Sequence, residues 1–188
     1  MGPVTYHRLM ADHGSATAAL AALPAIAAAA GVEGYECCPV GVALAEERQG
    51  LAAGARLLIH GEADYPRALM DLPDAPPVLW AKGDLTLLNR PAIGMVGARN
   101  ASSLGLRMAR RLGHGLAEAG LTIVSGLARG IDTAAHEAAL EGAGQTVAVM
   151  AGGIDVMFPT RNQGLGRRVG GKGCPEREHP PPPGPPGP

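Results

Sequence analysis

Between Pro91 and Met150 three short apolar runs alternate with two stretches of helical character, and a glycine follows each run. Ala92-Ile93-Gly94-Met95-Val96 ends at Gly97, Leu121-Thr122-Ile123-Val124 leads into Ser125-Gly126, and Thr146-Val147-Ala148-Val149-Met150 leads into Gly152-Gly153. Apolar runs this short, bounded by glycine, read as buried strands. The first intervening stretch carries Leu104, Met108, Leu112 and Leu116 at intervals of four, with Arg107, Arg110, Arg111 and Glu118 mostly elsewhere; the second spans Asp132 to Leu140 and stops at Gly142. Strands alternating with amphipathic helices dictate parallel βαβ units with right-handed crossovers, so the expected fold class is α/β. A sheet of this kind binds its ligand where loops leave the C-terminal ends of the strands. Three clear strands are fewer than a doubly wound sheet normally holds, and the sheet is expected to be incomplete.

The rest of the chain divides around this segment. Residues 1–50 read as a small helical domain. Tyr6, Leu9 and Met10 keep helical spacing, and a second helix, Ala16 to Leu23, follows the turn His13-Gly14-Ser15. Gly2-Pro3-Val4-Thr5 fits either the hairpin of a helix-hairpin-helix unit or a plain helix start, and the abrupt opening suggests an incomplete N-terminus. Residues 51–90 read as connecting strands and loops, with strands at Arg56-Leu57-Leu58-Ile59 and Val78-Leu79-Trp80-Ala81 and a proline-marked loop from Leu72 to Pro77. Residues 91–173 hold the partial sheet domain. The tail, 174–188, is dominated by proline and glycine and cannot make a packed element.

With 46% hydrophobic but only 3% aromatic residues, the core must be built from Ala, Val, Leu, Ile and Met. The net charge of −1 conceals a segregation: residues 1–90 carry six basic and ten acidic side chains, residues 91–170 eight and five. That balance favours an anionic partner for the second segment. Cys37, Cys38 and Cys174 lack the spacing of a zinc site or a redox pair, so no metal is expected. The Ala-rich run from Ala16 to Ala30 contains Pro24 and lacks the length of a membrane span, and no basic segment precedes it as in a signal peptide. A cytoplasmic protein is the expectation.

The three glycine-bearing loops carry the chemistry. In Gly97-Ala98-Arg99-Asn100-Ala101-Ser102-Ser103, Gly97 allows a sharp turn, Ser102 or Ser103 can cap the following helix, and Arg99 can grip a phosphate with its planar fork or stand solvated beside the turn. In Ser125-Gly126-Leu127-Ala128-Arg129-Gly130-Ile131-Asp132, Gly126 and Gly130 allow close backbone approach to a ligand, and Asp132 is a natural helix cap. His136, one turn on, is either a donor to a phosphate or base or a structural histidine. In the third loop Gly152 and Gly153 keep the pocket floor open, and Arg161 and Asn162 belong either to its rim or to the surface.

Several enzyme classes fail on the residues. The chain has no GxxxxGK[ST] phosphate loop, its first strand is not followed by GxGxxG, His136-Glu137 lacks the second histidine of a zinc protease helix, and Ser125 lacks a GxSxG elbow. The loops look built to hold an anion and not to transform one. A nucleotide- or ribose-phosphate-binding enzyme on a related scaffold is the alternative, with Asp132 and Asp155 as its candidate carboxylates.

Ser125-Gly126-Leu127-Ala128-Arg129-Gly130-Ile131-Asp132 with Ala135-His136 and Ala139-Leu140, preceded by Gly97-x-Arg99 and followed by Gly152-Gly153-Ile154-Asp155 and Phe158-Pro159, closely resembles the DNA-processing protein A (DprA/Smf) family. Tyr65-Pro66 and Pro76-Pro77-Val78-Leu79 fit as well, so the resemblance covers about residues 2–173. It implies a Rossmann-like domain behind a small SAM-like helical domain. It also implies a non-enzymatic role without cofactor: binding single-stranded DNA, protecting it and helping load the recombinase RecA in natural transformation, with self-association. The candidate DNA-binding residues are Gly97, Arg99, Ser102, Ser125, Gly126, Arg129, Gly130, His136, Gly152, Arg161 and Asn162. Family members carry an arginine at the place of Arg99 and a basic residue in the stretch matching Thr160 to Gly164, where Arg161 is the cation here. They continue through a Ser-Glu-x-Pro-like stretch into further strands, whereas this chain has Arg177-Glu178-His179-Pro180 and then prolines and glycines. The expectation is a chain cut short at its C-terminal end, through a frameshift or a truncated gene, and a non-functional fragment is a third reading.

Overall fold

The computed structural model describes residues 2–142, 145–151 and 162–171. Its first unit is helical. Pro3 opens α1 (Pro3–His13), where its missing amide hydrogen has no partner to lose, and Gly14 closes the helix at φ 74°, its N–H donating to Met10 O at 2.9 Å. Ser15 caps α2 (Ala16–Ala29), its Oγ accepting from the Ala18 N–H at 3.2 Å. Leu9, Ala19 and Leu23 form the contact between the helices, with Ile26 and Cys37 packed against them. The helix expected to end at Leu23 runs through Pro24 to Ala29. Proline removes the donor that would serve the Leu20 carbonyl four residues earlier, and the Cys37 thiol, 3.6 Å from that oxygen, donates in its place. In α3 (Val40–Ala52), Gly50 lies against the Trp80 ring, where a Cβ would come within 2.3 Å of it.

The strands expected at 56–59 and 78–81 are present. β1 (Arg56–Ile59) and β2 (Val78–Ala81) pair antiparallel, with Arg56 opposite Ala81 and Ile59 opposite Val78. They make a two-stranded sheet separate from the parallel one. Between them comes the short helix α4 (Arg67–Met70), and after them a 3-10 turn, Leu85–Asn89. Tyr65 is fully buried here and donates its hydroxyl to Pro76 O at 2.7 Å. α1 attaches at this point: His7 Nε2 donates to Ala75 O at 2.8 Å, and its ring stands edge-on to His60, which stands edge-on to Tyr65.

β3 (Ala92–Gly94), β4 (Thr122–Ser125) and β5 (Thr146–Ala148) form a parallel sheet in the order β3-β4-β5. The crossovers are α5 (Ser103–Glu118) and α6 (Ile131–Glu141), which pack on each other and on β4; α7 (Gln163–Gly170) packs on α6 and β5. Ile123, Ala117, Ala135 and Ala139 make the core, with Met95 and Leu116 against it. The chain is thus α/β, a Rossmann-like parallel sheet preceded by a helical unit.

Of the four-residue stripe expected along α5, Leu116 packs against the core and the other three turn outward. Leu104, Met108 and Leu112 are 62%, 47% and 50% exposed, whereas Ala109, Gly113 and Ala117 are buried. Small residues face inward because α6 comes backbone-close: a Cβ on Gly113 would stand 3.2 Å from Ala135 O and 3.3 Å from the Ala138 Cβ. Among the described residues no helix is long and apolar enough to cross a membrane.

Candidate functional site

The loops leaving β3 and β4 meet at one end of the sheet. After β3 the chain turns through Gly97, whose missing side chain makes room for Ile131, since a Cβ would lie 2.7 Å from it. Ser102 Oγ accepts from the Gly105 N–H at 3.2 Å and so caps α5. The β4 loop closes onto this first loop at Gly130. Its φ of 85° and a distance of 2.3 Å between a Cβ built there and Ala98 O admit glycine alone, and the next amide, Ile131 N–H, donates to Ala98 O at 3.3 Å. The β5 loop is tied to β4 by Val149 N–H, which donates to Ser125 O at 2.8 Å.

Where the first two loops touch they enclose a cleft of about 290 Å³, large enough for a phosphate group with its substituents. Arg99 and Asn100 line it from the first loop, Arg129 and Gly130 from the second, with Thr133 of α6 and Asn162 at the start of α7. Both arginines are exposed, and neither forms an ion pair among the described residues. Two cations therefore converge on a concave surface, the charge pattern that attracts and orients an oxyanion. The buried Asn162 amide nitrogen is taken up by Leu127 O at 2.7 Å and Thr133 Oγ1 at 3.0 Å.

Four of the sequence candidates, Arg99, Arg129, Gly130 and Asn162, line this cleft. Gly97 and Ser102 shape the first loop as just described. Ser125, Gly126 and His136 turn inward instead. Ser125 Oγ donates to Met95 O at 2.6 Å, so its hydroxyl joins β4 to the end of β3. The Gly126 amide, expected to face a ligand, donates to Asp132 Oδ2 at 3.1 Å. Asp132 is correspondingly not the cap residue, which is Gly130; it sits in the first turn of α6, 6% exposed, with its carboxylate directed back at the loop. His136 is fully buried: Nε2 accepts from the Leu127 N–H at 3.3 Å and Nδ1 lies 2.6 Å from Thr146 Oγ1, leaving neither nitrogen for a phosphate or base. Burial pushes the His136 imidazole down to about 4, against the upward pull of Asp132, so the ring is neutral at neutral pH. Gly152, Gly153, Asp155, Arg161 and the Phe158-Pro159 pair lie outside the described residues.

Sequence reasoning missed Asn100 and Thr133 as lining residues and Leu127 as a conformational key. Thr133 Oγ1 donates to Ala128 O at 2.7 Å, and Leu127 is, among the described residues, the non-glycine residue at positive φ, 55°. Thr133 sits one position after Asp132 at a helix start, which could have flagged it. Nothing in a leucine between Gly126 and Ala128 signals a left-handed backbone.

Comparison with known proteins bears on the same segment. Residues 56–182 match the family model of DNA recombination-mediator protein A, and residues 1–48 match that of the DprA-like N-terminal HHH domain. The DNA processing protein DprA of Streptococcus pneumoniae is 46% identical over 106 residues, which are 56% of this chain and 37% of that protein. Protein Smf of Synechocystis sp. is 37% identical over 129 residues, 66% of this chain and 32% of that protein. The chain therefore spans about a third of the length of these curated relatives. The X-ray structure of DprA from Streptococcus pneumoniae aligns with a TM-score of 0.59 at 41% identity, over 62% of this chain and 41% of that one. A structure of DprA from Helicobacter pylori, described for its single-stranded DNA binding mode, aligns with a TM-score of 0.55 at 28% identity, over 63% of this chain and 54% of that one. Since one family model alone accounts for residues 56–182, the chain belongs to the DNA recombination-mediator protein A family, whose members carry the names DprA and Smf.

Proposed function

We propose that this chain binds single-stranded DNA through its phosphates, in the cleft between the loops after β3 and β4. The observation that carries the reading is the convergence of Arg99 and Arg129, both without an ion-pair partner among the described residues, on a concave surface at the strand ends. The Helicobacter pylori relative, described for its single-stranded DNA binding, supports the choice of ligand. Phosphate contacts account for affinity without base identity, so binding is not sequence-specific. Few aromatic residues are available for base stacking, which leaves electrostatics as the main attraction.

The role is binding and not turnover. Of the two carboxylates that the enzyme alternative would use, Asp132 is directed away from the cleft onto Gly126, and Asp155 lies outside the described residues. Protection of incoming DNA, help in loading RecA during natural transformation and recombination, and self-association are proposed for the chain on family membership.

Fluorescence anisotropy with a labelled single-stranded oligonucleotide and its duplex, over a salt series, tests the reading. Affinity should favour the single strand, fall with a log–log slope of about −0.7 per phosphate contact, and drop in Arg99→Ala. A protein shown by circular dichroism to be folded, yet equally indifferent to both forms, would falsify it.

A further inference from the structure

Leu127 holds a left-handed backbone conformation, φ 55°, that a side chain with a Cβ disfavours. Both of its backbone polar groups are held by side chains distant in sequence: the N–H donates to His136 Nε2 at 3.3 Å, and the carbonyl accepts from Asn162 Nδ2 at 2.7 Å. The residues on either side are held in the same way, Gly126 N–H by Asp132 and Ala128 O by Thr133. Two positions beyond Leu127 stands Arg129, and then Gly130 packed on Ala98 of the first loop. A strained residue persists only when its surroundings over-determine it, and this one sits where the loop turns toward the cleft.

The hydrogen bonds around His136 have a fixed direction. A backbone N–H can only donate, so Nε2 must be unprotonated and the hydrogen must sit on Nδ1. Nδ1–H donates to Thr146 Oγ1 at 2.6 Å, and the threonine hydroxyl donates in turn to Ile123 O at 2.7 Å. Backbone groups terminate the chain at both ends, so the other tautomer would set the Nε2 hydrogen against the Leu127 N–H. The ring is fully buried and cannot touch a ligand itself.

We propose that His136 is a positioning residue of the anion cleft, its Nδ1–H tautomer holding Leu127 in the strained conformation that presents Arg129 and Gly130 to a phosphate. The inference rests on the reading of the cleft as a phosphate site and adds what sets its geometry. Arg129 and the contact of Gly130 with the first loop both depend on the turn at Leu127, so releasing that one amide loosens both sides of the cleft.

Two substitutions separate this role from general packing. A glutamine amide reaches about as far as Nε2 and can still accept from Leu127, whereas an asparagine amide reaches only about as far as Nδ1 and keeps the link to Thr146 alone. Affinity is measured for oligothymidylate, whose bases do not titrate in this range, and for pyrophosphate, with backbone amide NMR shifts followed across residues 126–130. His136→Asn should bind about tenfold more weakly than the wild type, the effect of one unsatisfied buried amide, and should shift the Leu127 amide; His136→Gln should restore affinity to within about twofold. Equal effects of the two variants, or none, would overturn the proposal. A wild type that binds pyrophosphate but not oligothymidylate removes the DNA reading, and the same variant comparison on pyrophosphate then decides the role of His136. A wild type that binds neither overturns both. Should neither variant fold, the ring nitrogen shifts of the wild type decide: an Nδ1–H tautomer at pH 7 supports the proposal and an Nε2–H tautomer refutes it.

Discussion

In the helical unit the helix caps are local and exposed, and longer side-chain bonds join Cys37 to Leu20 O and His7 to Ala75 O. Ser15 serves Ala18, three residues on, and Gly14 serves Met10, four back. Around the cleft local bonds such as Thr133 to Ala128 O stand beside buried or half-buried ones that link separate elements: Ser125 to Met95, His136 to Thr146, and Asn162 to Leu127 across 35 residues. The helical unit is held by the apolar contact of Leu9, Ala19 and Leu23, and its caps act one at a time. The cleft is held by buried polar groups that each need a particular partner, so a single loss leaves another group unsatisfied in a low-dielectric interior. A binding site made of loops gains a defined shape this way and becomes sensitive to changes that never touch the ligand.

The contrast is tested hardest at two glycines that share a positive φ but differ in ψ, −124° at Gly130 and −16° at Gly14. Gly130→Ala should destabilise the protein by roughly 3 kcal/mol or more, because the new Cβ would meet Ala98 O at 2.3 Å and the backbone, φ 85° and ψ −124°, is one that side chains with a Cβ rarely adopt. Urea unfolding reads the effect directly, and an alanine there that costs little would break the picture of two interlocked loops.

Next in size is the response to acid. His136 titrates near 6.5 when unfolded and is lowered by burial to about 4 in the fold. As the pH falls the unfolded chain therefore takes up the proton first. The contribution of the buried neutral ring is whole above about 6.5 and declines toward pH 4, by on the order of 3 kcal/mol over the interval. Unfolding measured from pH 7.5 to 4.5 should show this loss, and His136→Gln should flatten it. If the variant has the same slope, the acid sensitivity lies in another group.

A smaller effect is expected at Gly14, which has φ 74° but open space around the position of a Cβ. Gly14→Ala should cost about 1 kcal/mol through backbone strain alone. A loss matching that of Gly130→Ala would mean that the helical unit is as tightly interlocked as the cleft. The smallest change in stability belongs to Arg99→Ala, within about 0.5 kcal/mol because the side chain is exposed. The same variant should lose about tenfold in affinity for a single strand, and loss of folding together with loss of binding would show that Arg99 has a structural role instead.

Much of the fold was legible because it depends on short-range pattern. The β1 and β2 runs and the α5 and α6 stretches are marked by their own residues and by the glycines and prolines that end them. The inward face of α5 was not legible. Leu104, Met108 and Leu112 recur every four residues, and so do Ala109, Gly113 and Ala117. Helical periodicity allows either stripe, and the close approach of α6 selects the small one. The end of α2 was misjudged for a related reason, since a proline breaks a helix unless something else serves the orphaned carbonyl, and Cys37 comes from outside the helix to do so.

At the site the sequence by itself determined the glycine loops after β3 and β4 and the arginines that line the cleft, since exposed charge beside a tight turn follows from local residue types. Which polar residues face the ligand and which face inward was decided by tertiary structure. His136, Ser125 and Asp132 are as polar as Arg99, but a buried polar group must find a partner. Their partners, Leu127, Met95, Thr146 and Gly126, are brought within reach only when β3, β4, β5 and α6 assemble. The left-handed turn at Leu127 is a product of that assembly, because no local preference of leucine favours it and the partners of its N–H and carbonyl, His136 and Asn162, come from α6 and the start of α7.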